Sequence, residues 1–471
     1  MSELGLRLAE EKMRAAEVSE ETIHVFAHYY RQLEQGTTGL IREDTIEPLV
    51  SVDALADAQV DEETARRSLD QTVLIRLNGG LASSMGMDRA KSLLPVRDGR
   101  SFLDLIVAQV RYARRRWGVR LPLLLMNSFR TREDCVEALA GYPDLAVDGL
   151  PLDFIQNREP KLLVDSLEPA TWPANPGLEW CPPGHGDIYT ALISTGLLEA
   201  LLERGFRYAN SANADNLGAA PNAALAGWFA STGAPYAPEV CLRTPADRKG
   251  GHLAIRRADG RIILRDTAQT APEEMEYFTS ETRHPFFHTN NLWFDLEQLH
   301  KLLIEREGIL GLPLIRNQKT VDPADPSTPA VYQIETAIGA AVEAFEGVRP
   351  ILVDRSRFLP VKTTNDLLLV RSDAYRLTES ATLETTAAQQ ATIDLDPRYY
   401  RNIADFEARF PAGAPSVAAA SSLTVRGDWT FGPAVVALGD AVLDGAGGTV
   451  PAGARLQADG YPDTDQTGVD A

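Results

Sequence analysis

The first residues of this 471-residue chain that can do chemistry lie in a glycine-rich loop. The run Asn78-Gly-Gly-Leu-Ala-Ser-Ser-Met-Gly86 contains three glycines, which let backbone N–H groups come close to a phosphate or a base edge. Lys91 can supply positive charge to the same ligand. The loop is neither a Walker A motif, which needs Lys-Ser/Thr directly after its last glycine, nor a GxGxxG motif. The glycines alone are equally typical of a plain strand-to-helix turn.

A carboxylate follows a later predicted strand. Asp215 comes shortly after the strand predicted at Phe206–Ser211. In open α/β sheets, ligands bind beyond the carboxyl ends of the strands, so a carboxylate there can hold Mg²⁺ against phosphates. The alternative is an Asx turn that only ends the strand.

Three further segments place polar or charged side chains beside bends. The loop Pro182-Pro-Gly-His-Gly-Asp187 has two glycines that free its backbone for ligand contact, whereas a lone His185 is more typical of a loop hydrogen bond than of a catalyst. Lys249 precedes two glycines, and Lys362 follows the apolar run Phe358-Leu-Pro-Val361. A lone lysine is usually a solvated surface group, and Lys362 stands out because apolar residues precede it. No His/Cys cluster has zinc spacing, and no GxSxG elbow occurs.

The elements that must position these residues follow a βαβ pattern. Thr72–Leu77 and Leu121–Met126 are apolar runs typical of buried strands, and Ser101–Asp104 predicts a capping box that begins a helix between them. This order of elements indicates a parallel sheet and therefore an α/β fold. Further strands are predicted at Leu152–Ile155, Phe206–Ser211, Ala254–Arg257, Ile262–Leu264, Leu292–Phe294 and Leu367–Val370.

The two ends of the chain differ from this middle part. Residues 2–35 are predicted to be helical, with Ser19 as an N-cap, and Asp44–Asp70 is expected to add more helix. Residues 422–456 alternate short apolar runs with Gly and Asp, which is typical of β-helix coils. The predicted organisation is an N-terminal helical segment (1–70), an α/β domain (71–375), a β-helix-like domain (376–456) and a disordered tail (457–471).

Composition excludes several classes of protein. The net charge of −20 disfavours general binding to nucleic acid or to an anionic membrane surface. Residues 1–70 carry −9 and residues 371–471 carry −7, which leaves −4 on the 300 residues between them. No apolar run approaches the roughly 18 residues that span a bilayer, and the charged first 14 positions argue against a signal peptide. Three dispersed cysteines without a CxxC pair indicate a reducing, cytoplasmic location.

Eight segments occur in a family-specific order: LNGGLASSMG with AKSLLPV (77–96), LLLMNSF (123–129), PPGHGDIYTAL (182–192), NADNLG (213–218), DRKGGHLA (247–254), TNNLWF (289–294), QIETAIGAA (333–341) and RSRFLPVKTTNDLLLV (355–370). Together they resemble the eukaryotic-type UDP-glucose pyrophosphorylases, the UTP–glucose-1-phosphate uridylyltransferase family. The resemblance implies a Rossmann-like, GT-A-like nucleotidyltransferase domain in the middle of the chain, with a mixed sheet flanked by helices. It also implies N-terminal helices and a short C-terminal left-handed β-helix.

Carried onto this chain, the resemblance implies three groups of functional residues. The nucleotide would be bound by Leu77, Asn78, Gly79, Gly80, Gly86 and Lys91, with Gln156 and Gly184 at the uracil edge. The sugar would be bound by His185, Asn213, Gly251, Asp266, Asn290 and Asn291. Lys362 would bridge the sugar phosphate and the α-phosphate of UTP, Lys91 would contact the leaving pyrophosphate, and Asp215 would hold Mg²⁺. Lys249 and Lys319 are secondary candidates.

The implied reaction transfers a uridylyl group from UTP to glucose 1-phosphate and gives UDP-glucose and pyrophosphate. The attacking phosphate oxygen is already an anion, so an in-line displacement needs no general base. Catalysis then rests on positioning and on neutralising charge with Lys362, Lys91 and the implied cofactor Mg²⁺.

Two positions depart from the family's pattern. Ala82-Ser83 stands where the family usually has Gly-Thr, and Asp266 stands where a sugar contact is usually Glu. Because the Asp266 side chain is one methylene shorter, galactose 1-phosphate and N-acetylglucosamine 1-phosphate stay open as alternative substrates.

Two hypotheses from other classes are weighed against the transferase. A non-catalytic nucleotide-sugar sensor on the same fold would bind UDP-glucose without Mg²⁺-dependent turnover, and the presence of Lys362, Asp215 and Lys91 argues against it. An NAD-dependent oxidoreductase would need the GxGxxG loop and the acidic ribose contact that this chain lacks. The sequence predicts no particular oligomeric state.

Overall fold

The fold is that of a computed structural model, which describes residues 2–37, 39–82, 85–244, 247, 250–387 and 390–460. Its helices are α1 (Ser2–Ala15), α2 (Glu20–Glu34), α3 (Glu62–Asp70), α4 (Phe102–Trp117), α5 (Arg132–Leu139), α6 (Ile188–Ser194), α7 (Leu197–Glu203), α8 (Ala223–Thr232), α9 (Met275–Phe278), α10 (Leu296–Glu305), α11 (Thr364–Arg371), α12 (Pro397–Tyr400) and α13 (Ile403–Arg409).

Its strands are β1 (Ile46–Pro48), β2 (Asp53–Ala54), β3 (Thr72–Asn78), β4 (Pro95–Arg97), β5 (Arg100–Ser101), β6 (Leu123–Asn127), β7 (Asp153–Ile155), β8 (Glu159–Pro160), β9 (Leu162–Leu163), β10 (Trp180–Cys181), β11 (Tyr208–Asn213), β12 (Tyr236–Leu242), β13 (His252–Arg256), β14 (Ile262–Arg265), β15 (Phe286–Asp295), β16 (Ile315–Thr320), β17 (Ala330–Glu335), β18 (Ile351–Leu352), β19 (Tyr375–Leu377), β20 (Leu383–Thr385), β21 (Thr392–Leu395), β22 (Ser416–Val425), β23 (Asp428–Phe431), β24 (Val436–Leu443), β25 (Gly447–Val450) and β26 (Arg455–Leu456).

A large mixed sheet organises the first of two compact units. Its strand order is β2-β18-β12-β15-β11-β3-β6-β7, and β1, β13 and β14 join it beside β15. The neighbours β11, β3, β6 and β7 run parallel, whereas β15 is antiparallel to β11 and β12. The α/β class and the parallel pairing predicted for the first two apolar runs are therefore confirmed.

Local sequence signals begin several helices where they were predicted. The Ser101 hydroxyl accepts a hydrogen bond from Asp104 N at 3.1 Å, and the Asp104 carboxylate accepts one from Ser101 N at 2.8 Å. This reciprocal capping box satisfies two backbone donors at the start of α4. The Ser19 hydroxyl likewise accepts from Thr22 N at 3.2 Å and caps α2.

The chain divides into two compact units, each built from several stretches of sequence. Unit 1 contains residues 1–79, 113–213 and 221–355, and unit 2 contains residues 80–112, 214–220 and 356–471. Unit 1 has one extended apolar core, in which side chains of the sheet pack with those of α1, α2, α6, α7 and α10. The four-part division predicted from the sequence stays a prediction.

Parallel strands stack at the C-terminal end of unit 2. One sheet has the order β21-β22-β24-β26, and β23 pairs with β25 in a second sheet. Inward-facing apolar residues recur along these strands, as in the pattern that predicted β-helix coils; examples are Leu423, Val425, Ala437, Ala441 and Val450. Of the predicted disordered tail, residues 457–460 form a turn, and residues 461–471 lie outside the described residues.

Two sequence predictions of secondary structure were wrong. Leu367–Val370 was predicted as a strand but lies in α11, because Thr363 and Asp366 form a capping box that begins a helix. Asp44–Asp70 was expected to be helical, but only Glu62–Asp70 forms an α-helix, and β1, β2 and short 3₁₀ turns precede it. Of the helices in the described ranges, none has the length and apolarity to cross a membrane.

Candidate active site

Two lysines and one carboxylate form an ion cluster in unit 2. Lys91 Nζ donates to Asp215 Oδ2 at 2.6 Å, and Lys362 Nζ donates to the same oxygen at 2.9 Å. The side chain of Lys91 is 17% exposed and that of Lys362 is 56% exposed, whereas Asp215 is buried. The three residues implied as catalytic by the sequence therefore lie together, with both ammonium groups on one oxygen.

Short backbone contacts hold the three charged residues in place. Lys91 begins a 3₁₀ turn, and its N–H donates to the Gly80 carbonyl at 3.3 Å, which closes the glycine loop. Val361 N donates to the Asp215 carbonyl at 3.3 Å. Lys362 N donates to Asp366 Oδ2 at 2.8 Å, so the capping box of α11 also fixes the lysine that precedes the helix.

The charge state of Asp215 follows from its neighbours. Burial by itself raises the pKa of a carboxyl group, but Lys362 and Lys91 outweigh burial and lower the pKa of Asp215 below its usual range. Its other oxygen, Oδ1, is buried and accepts no hydrogen bond from the described residues. The carboxylate is therefore ionised, with one oxygen engaged by two cations and one oxygen available.

The available oxygen decides whether Mg²⁺ fits here. Among the described residues no group of three or more His, Cys, Asp or Glu side chains can hold a metal ion. Mg²⁺ commonly binds through only one or two carboxylates, with phosphate oxygens and water completing its shell. Asp215 Oδ1 fits such a site, in which the substrate phosphates would supply most of the ligands.

Gln156, one of the two residues implied at the uracil edge, packs against Gly79 in unit 1. Gln156 follows β7 and is buried, and its N–H donates to the Asn127 carbonyl at 2.8 Å. A Cβ atom on Gly79 would stand 2.5 Å from Gln156 Nε2, so only glycine lets the two residues pack this closely. The side chain of Asn78 donates to Asn127 Oδ1 at 2.7 Å and to Cys135 Sγ at 3.0 Å, and it therefore supports the loop from inside.

The loop with Gly184 and His185 is fixed against the segment that follows β17. Gly184 has a φ of +80°, and Thr336 N donates to the Pro183 carbonyl at 2.9 Å. Ile338 N donates to His185 Nδ1 at 2.9 Å. Nδ1 accepts this hydrogen bond, so a neutral ring would carry its proton on Nε2.

Apart from His185, the residues implied at the sugar form two pairs and one separate side chain. Asn290 Nδ2 donates to Asn213 Oδ1 at 3.1 Å, and Asn290 has a φ of +60°, an uncommon conformation in a strand. A Cβ atom on Gly251 would stand 3.5 Å from Asp266 Oδ2, so these two residues are also neighbours. Asn291 instead donates to the buried carboxylate of Glu239 at 3.1 Å, inside the sheet.

Asp266 also has a local structural role. Its Oδ1 accepts from Thr267 N at 2.6 Å, and with Gln269 it forms a capping box for a 3₁₀ turn. Burial raises the pKa of Asp266, against the effect of the Thr267 hydrogen bond.

The remaining implied residues lie apart from these groups. Leu77 is a half-buried residue of β3, and Gly86 (φ +71°) packs against Asn402 in unit 2, where a Cβ would come within 3.0 Å of Oδ1. Lys319 donates to Gln333 Oε1 at 3.0 Å. Lys249 and Ser83 lie outside the described residues.

Among the buried carboxylates of unit 1, two that bind asparagines in or beside the implied segments were not assigned a role from the sequence. Glu239 accepts from Asn291 and from Trp293 Nε1, and Asp187 accepts two hydrogen bonds from Asn157. Glu239 lies within a strand without a motif of its own. Asp187 is part of the quoted segment PPGHGDIYTAL, so its position carried a signal that was not assigned a role.

Known proteins resemble this chain over most of its length. Residues 23–437 match the family model described as UTP–glucose-1-phosphate uridylyltransferase. The proteins of that name from Hordeum vulgare and Saccharomyces cerevisiae are 36% and 37% identical, covering 96% and 83% of this chain and 95% and 78% of their own lengths. A mutant UDP-glucose pyrophosphorylase from Leishmania major, solved in complex with UDP-glucose, is 39% identical with a TM-score of 0.90 and covers 96% of this chain and 98% of its own. This chain therefore belongs to the UTP–glucose-1-phosphate uridylyltransferase family of nucleotidyltransferases.

Proposed function

We propose that this protein transfers the uridylyl group of UTP to glucose 1-phosphate, with UDP-glucose and pyrophosphate as products. The observation that carries the proposal is the convergence of Lys91 and Lys362 on one oxygen of Asp215, in a chain that belongs to this family of enzymes. A phosphate oxygen of the sugar phosphate forms a bond to the α-phosphorus of UTP. The bond from that phosphorus to the bridging oxygen breaks, and pyrophosphate leaves in line with the attack.

The two lysines can reduce the electrostatic repulsion between the two substrates of this reaction. Two polyanions must approach each other, and a transition state of this kind is stabilised by positioned cations rather than by proton transfer. In the free protein Asp215 is the counter-ion that holds both ammonium groups close together. Lys362 then contacts the sugar phosphate and the α-phosphate, and Lys91 contacts the pyrophosphate that leaves.

Asp215 is also the residue that would hold Mg²⁺, through its buried and unengaged Oδ1. When bound, the ion would neutralise phosphate charge and polarise the α-phosphate. The chain's own contribution is an ionised carboxylate whose pKa is kept low by the same two lysines.

Neutral groups of the substrates are assigned to unit 1. The amide of Gln156 can donate and accept, as the edge of uracil requires, and the backbone of Gly184 faces the same base. The proposed sugar contacts are His185, the amides of Asn213 and Asn290, Gly251 and Asp266, whereas the side chain of Asn291 is bound to Glu239 inside the sheet. The nucleotide is bound by Leu77 and Asn78 at the end of β3 and by Gly79, Gly80 and Gly86, of which Gly80 and Gly86 belong to unit 2.

Glucose 1-phosphate is proposed as the natural acceptor, although Asp266 is shorter than the usual Glu. Its carboxylate is partly engaged by Thr267 N, and Oδ2 lies on the side of Gly251. A side chain with this second oxygen next to a glycine can still accept from one sugar hydroxyl.

Three wider features belong to the same proposal. The α/β domain predicted at residues 71–375 is of the GT-A-like nucleotidyltransferase type. The stacked parallel strands at the C-terminal end of unit 2 form a left-handed β-helix. The protein works in the cytoplasm, which is supported by three buried free cysteines, Cys135, Cys181 and Cys241.

Pyrophosphate release tests the proposed function directly. Initial rates would be measured with UTP and glucose 1-phosphate, galactose 1-phosphate or N-acetylglucosamine 1-phosphate, each with Mg²⁺ or with EDTA. The fastest rate is expected with glucose 1-phosphate, and EDTA should abolish it. A faster rate with another sugar phosphate would correct the substrate, and binding of UDP-glucose without any turnover would replace the enzyme with a sensor.

A further inference from the structure

Two separate segments carry the groups assigned to uracil, and one carboxylate joins them. Gln156 and Asn157 follow β7, whereas Gly184 and His185 belong to the loop before α6. Asp187 ends that loop, and its Oδ2 accepts from Asn157 N at 2.5 Å. Its Oδ1 accepts from Asn157 Nδ2 at 2.9 Å, so both oxygens bind the residue next to Gln156.

The other side of the same loop is fixed by backbone contacts. Gly186 N donates to the Thr336 carbonyl at 2.9 Å, and Thr336 N donates to the Pro183 carbonyl at 2.9 Å. A Cβ atom on Gly184 would stand 2.6 Å from the Thr336 carbonyl oxygen, which leaves no room for the loop to shift in that direction. Asp187 is therefore a side-chain link between this fixed loop and the segment that carries Gln156.

The link is unusual because the carboxylate is buried. Asp187 is 5% exposed, and it lines a cavity with Glu159, a second buried carboxyl group whose Oε1 accepts no hydrogen bond from the described residues. Burial raises the pKa of Asp187 to about 7, whereas the two Asn157 donors favour its ionised form. A buried carboxylate needs such donors, so its position and that of Asn157 are strongly coupled.

We propose that Asp187 is a positioning residue for base selectivity, which holds Gln156 and Gly184 at the spacing that uracil requires. This inference rests on the proposed function. Uracil offers a donor at N3 and an acceptor at O4, and cytosine reverses both. Hydrogen-bonding groups that are held in place therefore distinguish the two bases. If these groups shift, the selectivity for uracil falls more than the affinity for the nucleotide does.

The test compares UTP with CTP in an Asp187→Asn variant. The amide would place an N–H₂ group against one of the two Asn157 donors, so one hydrogen bond is lost and the segments can separate. The ratio of kcat/KM for UTP to that for CTP is expected to fall about 10-fold to 100-fold, the range for one lost bond to a charged group. Glu159→Gln is the matched control, since it alters a buried carboxyl of the same cavity without touching Asn157, and its ratio should equal that of the wild type.

The possible results distinguish a failure of the positioning role of Asp187 from a failure of the proposed uridylyl transfer. Absence of UTP turnover in the wild type would contradict the proposed function. With an active wild type, an unchanged UTP-to-CTP ratio in Asp187→Asn, or an equal fall of both kcat/KM values, would overturn the positioning role. If Asp187→Asn does not fold, Asn157→Ala decides, because it removes one of the two donors: a smaller fall in the ratio supports the inference, and an unchanged ratio overturns it.

Discussion

The two units of this protein carry different chemistry. All seven histidines belong to unit 1, where the candidate ligand groups are mainly amides, imidazole nitrogens and backbone atoms, together with the carboxylate of Asp266 and the secondary candidates Lys249 and Lys319. Unit 2 contains only two lysines in its sequence, and both bind Asp215. Neutral parts of a substrate are recognised by directional hydrogen bonds, which require donors and acceptors in fixed positions. Phosphates are bound and stabilised mainly by positively charged side chains. Under the proposed function, base and sugar selectivity would therefore rest mainly on unit 1, and charge neutralisation during turnover on unit 2.

The largest effect is expected from a lysine of unit 2. Lys362→Ala should lower kcat on the order of 10²-fold to 10³-fold, by analogy with the loss of one donor to a developing charge. Steady-state kinetics with UTP and glucose 1-phosphate would measure it. Lys301→Ala, at a side chain that is 78% exposed, is the matched control and should behave as the wild type. A near-normal kcat in Lys362→Ala would remove Lys362 from the catalytic assignment.

The second effect concerns the carboxylate shared by the lysines. Asp215→Asn removes the charge on Oδ1, so the Mg²⁺ concentration that gives half-maximal rate should rise about tenfold or more. The measurement is a Mg²⁺ titration of turnover, together with Mn²⁺ binding followed by electron paramagnetic resonance. If both Mg²⁺ dependence and Mn²⁺ affinity stayed at wild-type values, Asp215 would not be the metal ligand.

A third prediction sharpens the comparison from the side of unit 1. A methyl group on Gly79 would collide with Gln156 Nε2 and displace it. Gly79→Ala should therefore raise KM for UTP by roughly tenfold, the scale of a one-methylene misfit in a binding pocket, and should change kcat at saturating UTP much less. An unchanged KM would mean that Gln156 does not contact the base.

The smallest expected effect is a pH dependence confined to unit 1. Burial, with a further contribution from His185, lowers the pKa of His288 to about 4. The folded protein then binds fewer protons at this residue than the unfolded chain does between pH 4 and the usual histidine pKa near 6.5. The free energy of unfolding should therefore fall at this residue as the pH falls through that window. In His288→Asn the loss between pH 7 and pH 5, measured by urea unfolding, should be smaller than in the wild type, and an equal loss would contradict the low pKa.

Much of the fold could be predicted because its signals are local. The apolar run of β3 and the Ser101–Asp104 capping box depend on neighbouring residues, and both were confirmed. The run Leu367–Val370 has the composition of a buried strand, and its helix was missed because the capping box at Thr363 decides the conformation from outside the run.

The candidate site likewise has residues that the sequence predicts and residues that it does not. The resemblance named Lys91, Asp215 and Lys362, but no spacing in the sequence states that residues so far apart share one oxygen. Glu239 and Asp187 could not be assigned from the sequence, since their partners Asn291 and Asn157 are brought to them only by the tertiary fold. Positioning residues are therefore the part of the site that the structure adds.

The proposed separation of base selectivity from charge neutralisation is tested most directly by the base selectivity of the Lys362→Ala variant. The ratio of kcat/KM for UTP to that for CTP would be measured in this variant and in the wild type. The ratio is predicted to stay the same while both kcat/KM values fall, because the base is read by groups of unit 1. If the UTP-to-CTP ratio of kcat/KM fell together with turnover, base selectivity would depend on Lys362. That result would contradict the separation of base selectivity from charge neutralisation.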